Sequence, residues 1–184
     1  QVLLRRTPGG LALSVTIMGT IMAATTGIIG ASVVMMTLLA LPVMLDRGYH
    51  VPLATGTIAA SGTLGILIPP SIMLVIMADL LSISVGTLFL AAVLPGLTLA
   101  GLYLVYIYTR TSISPSLAPP LPDDIGPANR AALWTMVLRS FVPPILLIVF
   151  VLGSIFAGWA TPTEAAGVGA LGALLLAIAN RKLN

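Results

Sequence analysis

The sequence contains no cysteine. That excludes a disulfide framework, thiol catalysis and any thiolate metal site. Charge is nearly as scarce. Asp, Glu, Lys and Arg make up 7% of the residues, where a soluble domain carries about 25%. There are five acids and one histidine. They form no carboxylate pair and no Ser/His/Asp grouping, and no Walker-type loop is present. The residues thus offer no chemistry for ATP hydrolysis or covalent catalysis, and the chain is read as not an enzyme. Against these absences, 58% of the residues are hydrophobic and the mean hydropathy is +1.13. The apolar residues come in long runs rather than in alternation. The fold class expected is therefore an all-α membrane protein with polytopic transmembrane helices, not a β-barrel. The net charge of +3 comes from basic residues scattered singly or in pairs near span ends, which membrane topology explains without nucleic acid.

The most informative stretch is Gly62-Thr63-Leu64-Gly65-Ile66-Leu67-Ile68-Pro69-Pro70-Ser71, at the centre of an apolar run from Val51 to Leu81. As one helix that run would be about 46 Å long, against a hydrocarbon core of ~30 Å. Two glycines and a Pro-Pro pair argue that it is broken. Two half-helices are expected, Leu53–Ser61 and Pro70–Leu80, joined by unwound backbone at mid-membrane depth. Bare backbone there is tolerated only where protein buries it or a wet cavity receives it. Membrane chains that keep such a break commonly use it to hold an ion or a solute.

The run from Leu11 to Leu45 is too long for one span of ~20 residues and too short for two. Its middle, Ala23-Ala24-Thr25-Thr26-Gly27-Ile28-Ile29-Gly30-Ala31-Ser32, is small and hydroxyl-rich. A re-entrant helical hairpin is expected. Leu11–Met22 goes in, the chain turns at Thr25–Gly30, and Ser32–Leu45 returns with Ser32 as the cap. The regions then read as a polar start at 1–10, the hairpin at 11–45, the broken helix at 51–81 and a span at 87–109 kinked by Pro95. A Pro/Ser-rich surface linker at 110–135 and two further spans within 136–184 follow. If residues 11–45 re-enter and each later span crosses once, Arg5, Arg6, Arg47, Arg110, Arg130, Arg139, Arg181 and Lys182 fall on one side. Those are all eight basic residues, so that side is read as cytoplasmic. Two short crossings would preserve this parity; a single crossing would not. The start at Gln1, with no initiator Met or signal-like segment, is read as a piece of a longer protein.

The hairpin tip and the break both place oxygen-rich backbone near the midplane. Thr25, Thr26 and Gly27, with Ser61, Gly62, Gly65 and Pro69, suit a small hard cation that wants hydroxyl and carbonyl oxygens. With no carboxylate near, sodium fits better than calcium. The competing reading is that small residues only let helices pack closely. Packing is preferred for one such cluster, a site for two of which one carries Pro-Pro. Ser71, at the start of the second half-helix, either caps or faces an anionic substrate group, with Thr63 as a second substrate contact. Asp79 reads as a solvated end residue and His50 as a solvated loop residue. Trp134 and Trp159 read as interface anchors, and Glu164 as the third residue of a capping box opened by Thr161.

Ala60 through Ser71, Asp46-Arg47-Gly48-Tyr49 ahead of them, Ala160-Thr161-Pro162-Thr163-Glu164-Ala165-Ala166, Pro8-Gly9-Gly10-Leu11 and Leu94-Pro95-Gly96 together resemble the large, DctM-type membrane subunit of tripartite ATP-independent periplasmic (TRAP) transporters. The resemblance implies an elevator-type transporter of inverted repeats, each with a re-entrant hairpin and a broken helix. This chain would carry the first repeat and the start of the second. It further implies sodium as the coupling ion and no other cofactor. The transporter would take up small organic acids across the bacterial inner membrane, with a small membrane subunit and a periplasmic substrate-binding protein as partners. The tip departs from the family's commoner Ser-Gly-Ser pattern and has Ala24-Thr25-Thr26-Gly27, which keeps the hydroxyl. A passive channel or a non-transporting membrane scaffold is the alternative, since both tolerate Gly/Pro breaks.

Overall fold

The computed structural model describes residues 4, 7–120 and 130–179. Arg5, Arg6, Arg181, Lys182 and most of the linker, with Asp123 and Asp124, lie outside the described residues. Seven helices carry the described chain: α1 (Gly10–Thr26), α2 (Ile29–Asp46), α3 (Val51–Leu67), α4 (Ile72–Leu80), α5 (Val85–Ile113), α6 (Arg130–Phe156) and α7 (Pro162–Ala179). A single 3-10 turn, Pro115–Leu117, follows α5. By length and composition four segments can cross a bilayer: Ile29–Asp46, Val51–Leu80, Val85–Ile113 and Ala131–Phe156. The protein is an all-α membrane protein.

α1 and α2 form a helical hairpin, and α3 lies against both arms. Gly19 of α1 faces Ser61, where a Cβ would come within 2.5 Å of the serine Cβ. Gly62, one residue on, receives Val33 of α2 so closely that no side chain fits between them. These glycines set the spacing of three helices. Leu11, Val15, Met36, Met44, Ala54 and Ile58 fill the core they enclose. Smaller clusters join α3 to α5 through Leu64, Ile68 and Ala100, and α5 to α6 and α7 through Phe89, Ile155 and Ala165.

Contacts also fix which ends lie together. The Leu11 amide donates to the Tyr49 hydroxyl at 3.1 Å, Thr111 packs on Gly9, and the His50 amide donates to the Leu117 carbonyl at 2.9 Å. The start of α1, the α2–α3 turn with Arg47, and the end of α5 with Arg110 thus share one end. Gly86, at the start of α5, meets Ile155 near the end of α6 at the other. A re-entrant segment 11–45 and two full crossings would both bring these ends together.

Tyr49 is buried at the foot of the hairpin. Burial raises its pKa, against the opposing pull of the Leu11 and Ala12 amides, so it serves as a neutral hydroxyl acceptor. Tyr49→Phe leaves the buried Leu11 N–H without a partner. We expect a loss of about 1–3 kcal/mol in the thermal unfolding of the full-length protein, the usual cost of an orphaned buried donor.

Several boundaries move from their sequence expectation. α3 continues to Leu67 instead of ending at Ser61, because close packing on Val33 outweighs the weak helix propensity of Gly62. Only the prolines end it, and α4 starts at Ile72 rather than Pro70. The hairpin turn is two residues, Gly27 and Ile28, instead of Thr25–Gly30, because Gly27 takes φ +59 and stops α1. Ile28, not Ser32, is the cap position of α2. α5 runs on to Ile113 and α6 begins at Arg130, so the stretch between helices is shorter than 110–135. Pro95, Pro143 and Pro144 sit inside continuous helices.

Candidate functional site: the hairpin tip against the broken helix

The break consists of Ile68, Pro69, Pro70 and Ser71. Its cause is covalent. Pro69 and Pro70 have no amide hydrogen, so the carbonyls of Gly65 and Ile66 lose the donors four residues on that a helix would supply. Ile68 still donates to the Leu64 carbonyl at 2.9 Å and closes α3. Past the break, Val75 donates to the Ser71 carbonyl at 3.2 Å, the first bond of α4. The amides of Ile72, Met73 and Leu74 precede it and have no helical acceptor.

The tip of the hairpin seats here. A Cβ on Gly27 would lie 3.1 Å from the Pro70 carbonyl oxygen and 3.6 Å from both the Ser71 Cα and the Ile72 nitrogen. Four helix ends therefore converge. α1 and α3 arrive by their C-termini, with free carbonyls and the negative end of the dipole. α2 and α4 depart by their N-termini, with free amides and the positive end. One junction offers oxygens to a cation and amides to an anion.

The side chains add hydroxyls. Thr26 Oγ1 donates to the Met22 carbonyl at 2.9 Å and lies 2.6 Å from Ser32 Oγ, which itself reaches the Ile28 carbonyl at 3.0 Å. With their hydrogens directed within the hairpin, these oxygens keep lone pairs to share. Ser71 is 1% exposed. It occupies the cap position of α4, yet its hydroxyl makes no capping bond and has no hydrogen-bond partner. A buried hydroxyl without a partner costs free energy.

The structure brings some of the expected site residues together and separates others. Thr26, Gly27, Pro69 and Ser71 meet at the junction, and Gly65 contributes a carbonyl through the loss of its donor at Pro69. Ser61 and Gly62 are helical, below the break. The Ser61 hydroxyl donates to the Thr57 carbonyl at 2.6 Å, and both residues line the α3–hairpin contact. Thr25 and Thr63 are exposed and bonded to their own helices, to Met22 at 2.9 Å and Ala60 at 2.7 Å. Sequence reasoning took Ser32 for a cap and missed its place beside Thr26. The signal was its spacing of six residues across a two-residue turn. Away from the junction, Thr161 and Glu164 form the expected capping box, with Thr161 N and Oγ1 each donating to Glu164 Oε2 at 2.8 Å. Asp79 is exposed near the end of α4.

A helical hairpin whose tip closes on a proline-broken membrane helix defines the class: a polytopic membrane protein of the transporter type. Residues 2–184 match the family described as tripartite ATP-independent periplasmic transporter, DctM component, and the chain belongs to that family. It is 38% identical over 173 residues to the C4-dicarboxylate TRAP transporter large permease protein DctM of Pseudomonas aeruginosa, covering 92% of this chain and 38% of that protein. It is 34% identical over 171 residues to the isethionate TRAP transporter permease protein DctMQ of Oleidesulfovibrio alaskensis, covering 92% of this chain and 26% of that protein. With the ectoine TRAP transporter large permease protein TeaC of Halomonas elongata it shares 33% identity over 170 residues, 91% of this chain and 38% of that protein. The chain spans less than two fifths of the length of each of these three relatives.

Proposed function

We propose that this chain forms the first half of the ion and substrate site in a secondary active, sodium-coupled importer of small organic acids. The observation that carries the reading is the seating of Gly27 on Pro70–Ile72 beside the partnerless hydroxyl of Ser71. In this reading the carbonyls at the ends of α1 and α3, with Thr26, hold the cation. The first amides of α4, with Ser71, receive a substrate carboxylate. Relatives named for C4-dicarboxylate and isethionate support an anionic organic substrate; one named for ectoine shows that the family's range is wider.

The hairpin is read as re-entrant. Its tip stops level with the break, and Gly96 of α5 packs against Leu67 and Ile68 at the same level. From Gly96, α5 continues back to Val85, roughly 16 Å of further helix at 1.5 Å per residue. The basic end is read as cytoplasmic, in a bacterial inner membrane. A small membrane subunit and a periplasmic binding protein are the proposed partners.

With the full-length complex in liposomes, uptake requires both a sodium gradient and the binding protein. Uptake unchanged when potassium replaces sodium contradicts the coupling. Ionic current without substrate favours a channel instead.

A further inference from the structure

Away from the junction, a groove of about 510 Å³ opens between α3 and α5. It starts at the basic end, with His50 and Arg110 at its mouth, and runs past Gly56 and Tyr106 to Ala60 and Tyr103. From His50 to Ala60 that is roughly 15 Å along the helix axis. We infer that this groove binds one anionic phospholipid, its phosphate at Arg110 and His50 and the start of an acyl chain between α3 and α5.

Charge complementarity selects the occupant. Among the described residues Arg110 meets no carboxylate, and its guanidinium reaches only Ser114 Oγ, at 3.4 Å. A cation with no carboxylate partner among the described residues, over a cleft between membrane helices at the end that also holds Arg47, suits an anionic headgroup. Beyond the mouth the walls turn apolar. The floor is small: Gly56 is exposed, and a Cβ added there meets nothing within 4 Å. Tyr103 and Tyr106 line the groove with side chains that pair an apolar ring with a polar hydroxyl. A small carboxylate substrate matches the mouth but leaves the apolar trough unfilled, whereas a phospholipid matches both, in the direction lipids lie. Thr57 also lines the groove, and its buried hydroxyl has no hydrogen-bond partner. The site is separate from the hairpin junction and does not depend on sodium coupling.

The test is native mass spectrometry of the full-length protein released from nanodiscs of equal phosphatidylglycerol and phosphatidylcholine. The wild type retains one phosphatidylglycerol. Gly56→Leu fills the groove at an open position and abolishes retention, while its melting temperature in lipid-free detergent does not fall below that of the wild type. Arg110→Gln, at an exposed position, lowers the preference for phosphatidylglycerol by about fivefold. Millimolar inorganic phosphate does not displace the lipid. Equal retention by the wild type and Arg110→Gln, displacement by phosphate alone, or no retained lipid in the wild type each overturns the inference.

Discussion

Gly62→Ala destabilises the full-length protein, whereas Gly56→Ala, less than two turns earlier on the same helix, stabilises it. By helix propensity alone both substitutions should help, by roughly 0.5–1 kcal/mol, since glycine loses the most backbone freedom on folding. The surroundings reverse the sign at Gly62. A new Cβ there runs into the Val33 side chain and comes within 3.3 Å of the Val33 Cα, so backbone as well as side chain must move. Overpacking of this kind costs about 1–3 kcal/mol, more than propensity returns. At Gly56 the added methyl meets nothing within 4 Å. Thermal unfolding in detergent reads both changes. Pairing Gly62→Ala with Val33→Ala restores much of the loss, because the Val33 methyls are the first obstacle, and the coupling of such neighbours runs to 0.5–3 kcal/mol. Two stabilising alanines would mean that α3 does not pack against the hairpin at this spacing.

Ser71→Ala and Thr26→Val separate substrate from cation. Removing the partnerless Ser71 hydroxyl sacrifices no hydrogen bond in the ligand-free protein, so stability holds or improves. Bound substrate is different. A hydrogen bond to a charged group contributes about 1.5–3 kcal/mol, so the KM for the organic acid rises by about tenfold or more. Thr26→Val keeps the shape and deletes an oxygen beside the free carbonyls of α1. Half-saturation by sodium then moves upward by a similar factor, with the KM measured at saturating sodium little changed. Initial rates of uptake against substrate and against sodium separate the two effects. An unchanged KM in Ser71→Ala, together with higher stability, would reduce that serine to a packing residue.

The break was legible because its cause is covalent: two adjacent prolines cannot donate, whatever surrounds them. The glycines beside them were misread for a related reason. Gly62 and Gly65 look like helix breakers in isolation, but both stay helical, and what Gly62 serves is an approach from another part of the chain. Val33 lies 29 positions away, and nothing local announces it. The hairpin showed in length and composition, while its turn depended on which glycine took a positive φ. Gly27 did, with a carbonyl of the broken helix 3.1 Å from where its Cβ would stand. Gly30 faces open space and stays in α2. Tyr49 stood in a short polar stretch between two apolar runs, and its bond to Leu11 closes a loop that sequence spacing does not reveal.

In this protein the hairpin tip and the helix break are one place. Ile28 and Ile72 flank the contact and are exposed, so both accept spin labels in a cysteine-free full-length background. Electron paramagnetic resonance on the doubly labelled Ile28→Cys/Ile72→Cys protein in lipid is the direct measurement. Strong dipolar broadening, absent from each single-label protein, is the predicted result. Spectra that merely sum the two single labels would place the tip away from the break and contradict the account.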